Sequence, residues 1–425
     1  MSVTQFIGNG DNRDFMRLWW AQVISQFGDR INQMALIGLT AGRTPGSAWE
    51  LAKLLTFTII PVFVVGPLAG VLVDRWDRRT TLFICDFLRG LLVLSLPLVF
   101  LQQHSMIPIY AVVFLAFCLS RFYVPAKMSI IPDLVTGKDL IMANSLVSVT
   151  GMIAFVLGCA LGGFIVEKVG PRGGFLWDAI TFFLSGWLVL CMKPRLKFKS
   201  FSKELLSTGR QVIQIWRKSI LTEFVEGVQY LFRHQEIRFI INTLFILFAA
   251  AGAIYVVIIV FVQETFASVT RHLGLLAVFL GVGLFLGAMA YGRWGQKISP
   301  FRTIFLSLIS GGLMLIVFAL VVHQTPRVYV AALLAWILGF IIGPIVIAAN
   351  TVVHQVSEDQ MRGKVFSSLE IVIHLAFLLA MLISSKLAER LEHHLILIGV
   401  GVIFSIVGMG GLIRSQMRGL LKWSG

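Results

Sequence analysis

Charge is scarce in this chain. Asp, Glu, Lys and Arg make up 13% of its 425 residues, where soluble domains carry about 25%. Hydrophobic residues make up 57% and mean hydropathy is +0.87. A soluble globular fold is excluded, and a polytopic membrane protein is indicated. Cysteine is also scarce. Cys85, Cys118, Cys159 and Cys191 fall in or beside apolar stretches, and no two form a C-x-x-C pair. They read as small packing residues, with neither disulfide nor metal implied. There is no G-x-x-x-x-G-K-[ST] loop, no G-x-S-x-G elbow and no H-E-x-x-H pair. Each absence removes a class of chemistry: nucleotide hydrolysis, serine-nucleophile catalysis and zinc proteolysis. No enzymatic activity and no cofactor are expected, and any driving energy must come from an ion gradient or a substrate gradient. Residues 1–15 lack an apolar core and a small-residue cleavage site, so the first apolar segment is expected to act as its own insertion signal.

What the chain has is long apolar sequence. About 20 apolar residues cross a bilayer. Twelve stretches of that order are read, roughly at 16–41, 51–73, 80–101, 107–125, 143–167, 174–192, 237–262, 272–292, 302–322, 328–349, 365–386 and 394–414. Acidic residues number 21 against 36 basic ones, a formal charge of +15. Such an excess can signal nucleic acid, but its distribution excludes that reading. With both termini inside, cytoplasmic segments hold about 26 of the Lys and Arg residues and outer loops about eight, the positive-inside pattern. A basic cytoplasmic face also suits membrane phospholipid headgroups.

The apolar pattern stops at 193–236, where Lys193, Arg195, Lys197, Lys199 and Lys203 follow closely. Residues 220–233 then carry apolar side chains at helical spacing, as in an amphipathic helix lying on the cytoplasmic surface. The chain is thus expected to divide into residues 1–192, a basic linker at 193–236 and residues 237–425, with six helices on either side. An internal repeat supports the division. Asp74-Arg75-Trp76-Asp77-Arg78-Arg79 falls on Gly292-Arg293-Trp294-Gly295-Gln296-Lys297, and Pro125 has a counterpart in Pro344.

The first copy of that repeat is the most specific motif. Gly70-x-Leu72-x-Asp74-Arg75-x-x-Arg78-Arg79 lies between the second and third apolar stretches. It resembles the signature loop between helices 2 and 3 of the major facilitator superfamily, with Asp77 where the family usually has Gly. The stretches Pro125-Ala126-Lys127, Ile131-Pro132-Asp133-Leu134-Val135 and Ala143-Asn144-Ser145-Leu146 resemble the branch that contains macrolide efflux pumps, siderophore (enterobactin) exporters and lysophospholipid transporters. The resemblance covers essentially the whole chain. It implies an all-α membrane protein of twelve transmembrane helices in two pseudo-symmetric six-helix bundles. It also implies that Asp74, aided by Arg75, Arg78 and Arg79, closes the cytoplasmic side through the helix start around Arg362-Gly363-Lys364-Val365. Gly158-Cys159-Ala160-Leu161-Gly162-Gly163 resembles the antiporter signature Gly-Pro-x-x-Gly-Gly, with Cys159 replacing Pro. Close packing of helices 5 and 8 is expected there, with Gly281, Gly283 and Gly287 on the other side.

Several residues are candidates for mechanism. Gln22, Ser25, Gln26, Asp29, Asn32 and Gln33 recur at spacings of three and four and form a polar stripe on helix 1. A lipid-facing surface cannot hold them, so they either line the cavity, as resemblance implies for helix 1, or bond to other helices. Asp29 and Arg30 are adjacent and point roughly 100° apart. Asp29 is a candidate protonation or cation-recognition site. Asp86 and Arg89 can pair on one face and are expected to fasten helix 3 to its neighbours. Asp178 is expected to open helix 6, as a helix-start or interface residue rather than a coupling site. Glu370 and His374, four apart, suit either a proton relay or a structural hydrogen bond. His393-His394 lie near an outer loop without a metal-ligand frame, so no metal site is expected.

The expected function is secondary transport in a bacterial-type inner membrane. An amphipathic organic compound would be exported by antiport with protons. A lysolipid is the alternative substrate, and a non-transporting receptor or scaffold on the same fold is the alternative class. A monomer with both termini cytoplasmic is expected.

Overall fold

A backbone N–H or C=O without a partner costs several kcal/mol in hydrocarbon, so an apolar run must close its hydrogen bonds within itself, as a helix. The computed structural model follows this rule. It describes residue 6 and residues 12–102, 105–193, 235–266, 270–295, 298–356 and 362–417, with no strand among them. The expected surface helix at 220–233 and nearly all of the basic linker lie outside these residues, as do Gln296 and Lys297.

The helices are α1 (Arg13–Arg43), α2 (Ala48–Val64), α3 (Gly66–Val73), α4 (Arg78–Gln102), α5 (Ile107–Leu134) and α6 (Leu140–Leu190), then α7 (Gln235–Phe266), α8 (Arg271–Trp294), α9 (Pro300–Gln324), α10 (Val328–Val356), α11 (Arg362–Leu387) and α12 (His393–Met417). Among the described residues, nine helical stretches are long and apolar enough to cross a membrane. One of them runs from Gly137 to Leu190, 54 residues, far beyond the 30 Å or so of a bilayer core. Its backbone breaks at Gly170 (φ 73°, ψ 171°), immediately before Pro171. Positive φ is open to glycine without steric cost, and Pro disfavours helix in the residue before it. Two limbs result, 140–169 and 171–190. The second apolar stretch is likewise delivered in two pieces, α2 and α3, divided at Val65 just before Gly66-Pro67, where Pro67 has no N–H to continue the ladder.

The chain divides into two compact units. In the first, α1 lies between the limbs of α6. Gln22 Nε2 donates to the Val147 carbonyl (3.4 Å) and Trp19 Nε1 to Thr150 Oγ1 (3.0 Å). Further along α1, Ile31 comes so close to Gly162 that a methyl there would sit 3.0 Å from its Cα. Contacts with the other limb run the opposite way, from Gly28 against Asp178 and Thr181 to Ala35 against Gly174. The limbs are therefore antiparallel.

In the second unit, backbones approach at glycines. A side chain on Gly283 or Gly287 of α8 would collide with the carbonyls of Trp336 and Phe340 of α10, and one on Gly339 or Gly343 would collide with α8 in return. Gly252 plays the same part for α7 against Phe377 of α11. Small residues let helices exchange dispersion contacts along their length, which is what association within lipid depends on. The turn at residues 43–48 belongs to this unit. Its Gly46 adopts φ 74°, and Trp49 just beyond places its ring 5.1 Å from the Lys386 ammonium.

Gly283→Val overpacks the α8–α10 contact and is expected to cost about 1–3 kcal/mol or more. Thermal melting in detergent checks this against Gly399→Ala, where a methyl meets nothing within 4 Å. Equal melting of the two variants would refute the close-packing role.

Candidate functional site

The signature loop is built from helix ends. Asp74 caps α3, its N–H bonded to the Gly70 carbonyl at 3.1 Å, and its side chain is exposed. Asp77 begins α4: its Oδ1 accepts from Thr80 N–H (2.7 Å) and its carbonyl from Thr81 N–H (2.9 Å). Asp is among the best N-cap residues, so the family's usual Gly has been exchanged for a capping side chain. Arg78 donates to the Ser129 carbonyl (3.0 Å) and pairs with Asp133 on α5. Arg79 donates to the carbonyls of Val189 (3.1 Å) and Leu190, which lack helical partners at the end of α6. Trp76 stacks on Phe122 with centroids 5.6 Å apart. At the same end Asp14 pairs with Arg17 (2.9 Å) and accepts from Lys193 N–H (3.3 Å). The loop thus ties α4, α5 and α6 together. Arg75 is exposed.

The polar stripe of α1 resolves into two faces. Gln22, Gln26 and Arg30 meet the 140–169 limb. Gln22 is buried against Val147, Gln26 lies beside Gly151, and Arg30 packs its stem on Gly158 and its guanidinium 4.9 Å from the Phe155 ring centre. Arg30 Nη1 also donates to Gln33 Oε1 (2.8 Å), so Asp29 is not its partner. Gly158 and Gly162 serve close packing as expected, but the neighbour they touch is α1, and Gly163 is buried beside them. In the other half Gly283 and Gly287 are taken up by α10. Three oxygens on α1 are buried without a hydrogen-bond partner: Gln22 Oε1, Gln26 Oε1 and Asn32 Oδ1.

The second face of α1 borders a cluster of buried charges. Asp86 of α4 is fully buried and accepts from Arg89 Nη2 (3.3 Å) and Ser185 Oγ (2.6 Å). Arg89, 4% exposed, donates from Nη1 to Ser120 Oγ (3.2 Å) and lies over the rings of Phe182 (4.0 Å) and Tyr123 (5.0 Å). Asp178 is also fully buried. It stands two turns beyond the Gly170 break, so it does not open helix 6 as the sequence predicts. The charge and glycines around Lys168–Gly173 read as a loop, whereas the chain restarts its helix at once. Thr181 Oγ1 contacts Asp178 Oδ1 at 3.3 Å, and Asn32 lies beside the carboxylate without a well-formed bond to its Oδ2. Asp29, half-buried, has no direct hydrogen bond or ion pair among the described residues. It acts electrostatically on Arg89, Lys127, Asp86 and Asp178.

Gly28, Lys127, Ser185 and Asp178 are the members that sequence reasoning missed or misplaced. Lys127 was visible only as part of a motif. Gly28 carries no chemistry of its own, yet its missing side chain lets Asp178 reach α1. Glu370 and His374 are not joined side chain to side chain. The His374 Nδ1–H donates to the Glu370 backbone carbonyl (2.8 Å), and the Glu370 side chain is exposed.

Arg89→Leu strands Asp86 in the bundle, and losing one partner of a buried pair costs about 3–5 kcal/mol. Folded yield by detergent chromatography is expected to collapse, and the double variant Asp86→Leu/Arg89→Leu is expected to recover much of it. No recovery in the double variant would show that the pair is not the unit of stability.

The family model of the Major Facilitator Superfamily matches residues 18–381. YkuC, an uncharacterized MFS-type transporter of Bacillus subtilis (strain 168), is 26% identical over 83% of this chain and 80% of its own length. The multidrug efflux pump Tap of Mycolicibacterium fortuitum is 23% identical over 88% of this chain and 89% of its own. Among solved structures, a POT family transporter in complex with 5-aminolevulinic acid superposes with a TM-score of 0.70 at 14% identity, covering 95% of this chain and 96% of that one. A bacterial homologue of the iron transporter ferroportin, inward-facing, gives 0.66 at 15% identity, covering 97% and 99%. At these identities the structures speak for the fold alone.

Proposed function

We propose that this chain, which belongs to the Major Facilitator Superfamily, exports an amphipathic organic compound across a bacterial inner membrane, with Asp29 as the proton-coupling carboxylate. It is an integral membrane transporter. The proposed direction is supported by a relative named as a multidrug efflux pump. The observation that carries the coupling role is the placement of Asp29: a carboxylate in the middle of α1, directly paired with nothing described, beside the buried Arg89, Asp86 and Asp178 and the half-buried Lys127. An ionisable group in a membrane helix is costly and marks ion or substrate pathways. Protonation of Asp29 changes the charge balance of that cluster by one unit. The cluster ties α1 to α4, α5 and α6, so this change bears on how the helices are held. The three unpartnered oxygens on α1 give water or substrate polar groups something to meet.

Asp29→Asn keeps shape and removes charge. In vesicles with an imposed pH gradient, tested with cationic and neutral fluorescent drugs, this variant is expected to lose gradient-driven accumulation while still exchanging substrate at equilibrium. A fall in affinity for cationic drugs alone would assign Asp29 to substrate recognition. Wild-type pH dependence with wild-type affinity would refute both roles.

Asp74 is proposed to act in gating, because its carboxylate is exposed at the end of α3 beside a loop whose Asp77, Arg78 and Arg79 are bonded to helix ends. A carboxylate at a helix start is worth about 0.3–1 kcal/mol when exposed, enough to shift a balanced conformer equilibrium severalfold. Asp74→Asn is expected to lower transport far more than expression and to move spectroscopically measured conformer populations toward inward-open. Normal transport with unchanged populations would leave the loop as a topological clamp.

A further inference from the structure

We infer that the second unit binds a divalent transition-metal cation of the zinc class, through His323, Glu392 and His394. These residues come from the end of α9 and the start of α12, where α7 and α11 also finish. They line a pocket of about 610 Å³. Their ligand atoms all lie within 4.8 Å of one another, and Glu392 Oε2 is 3.1 Å from His394 Nδ1. The sequence places two of the three side by side and the third far away, and only the fold brings His323 to them.

A second, independent observation lies in the same pocket. His393 is 10% exposed, and its Nδ1 pairs with Glu264 Oε2 of α7 at 2.9 Å. Its Nε2 is buried with no hydrogen-bond partner. A carboxylate behind one imidazole nitrogen fixes the tautomer and leaves the other nitrogen as a lone-pair donor, the usual outer arrangement of metal-binding histidines. The pocket therefore holds three imidazoles and the carboxylates of Glu264, Glu389 and Glu392, opposed by the single cation of Arg390. Lys386, just outside, is already paired with Glu389 (2.5 Å).

Imidazole and carboxylate together select zinc and its neighbours over magnesium or calcium, which require oxygen ligands. Ligand atoms around a tetrahedral ion at about 2.0–2.1 Å stand about 3.3 Å apart, so the three must close slightly. The rings of His323 and His394 now stack, with centroids 4.0 Å apart and planes 19° apart. Their lone pairs lie in nearly parallel planes, so binding requires one ring to turn. His323 and Glu392 are exposed, and exposed side chains change rotamer readily.

The test uses the full chain in detergent, tag removed and washed with chelator. Zn²⁺ is read by thermal stabilisation and Co²⁺ by visible absorption. Wild type is expected to show saturable stabilisation by Zn²⁺ and none by Mg²⁺ at equal concentration. His323→Ala, His394→Ala and Glu392→Gln are each expected to weaken it at least tenfold. His374→Ala is expected to match wild type. Absence of saturable Zn²⁺ binding overturns the inference. So does wild-type affinity in both His323→Ala and His394→Ala, or loss of binding in His374→Ala, which would put the metal elsewhere. Because the readouts involve no transport, the result stands or falls separately from the proposed export activity.

Discussion

A guanidinium stays charged wherever it is placed, and Arg89 is placed almost wholly inside a helix bundle. Much of the first unit answers that one constraint. Asp86 supplies the opposite charge, Ser120 a hydroxyl, Phe182 and Tyr123 the faces of their rings, and Ser185 a second bond to Asp86. These groups sit on α4, α5 and α6, so meeting the charge requires all three helices to be in place. The exchange is specific rather than strongly stabilising, because desolvating a pair costs nearly as much as its attraction returns. Its consequence is that the bundle has one arrangement that satisfies the charge.

The same logic, applied at the water interface, gives the signature loop its structural work. There the cost falls on unpaired backbone groups at helix ends rather than on buried charge. Arg79 meets the last carbonyls of α6, Arg78 reaches the end of α5, and Asp77 meets the first amides of α4. Positive charge that the sequence explains by topology is thus also spent on particular acceptors. Asp74 and Arg75 differ, since their side chains are exposed beside these bonded groups.

The helices were legible in the sequence because hydrophobicity is a local property: a run of apolar residues announces itself without reference to any other run. The signature loop was legible because its order of residue types is also local. Pairings between distant segments left no such trace. Gly28 is one glycine among 39, and nothing near it in sequence says that Asp178 lies opposite. The polar stripe on α1 was visible as one surface because it repeats at helical spacing. That it faces two limbs of one broken helix depends on the turn at Gly170, which the surrounding charge disguised as a longer loop. His323 and His394 are separated by two whole helices, α10 and α11, so no local pattern joins them.

The two units differ in what holds them. The fully or nearly fully buried charged side chains among the described residues, Asp14, Asp86, Arg89 and Asp178, all belong to the first unit. The buried polar side chains described in the second are hydroxyls: Thr40, Thr270, Ser299, Thr303, Ser307, Ser384 and Ser385. Its helices meet instead at glycines, where fit depends on shape and not on charge. The two Arg-Trp segments aligned in the sequence show the same difference. Trp76 of the first copy is stacked on Phe122, whereas Trp294 of the second is 71% exposed, and Gly292 stands where Asp74 would be. A helix pair held by close backbone contact resists a change in protonation, since no term in its packing depends on charge. A bundle held by charges responds to one.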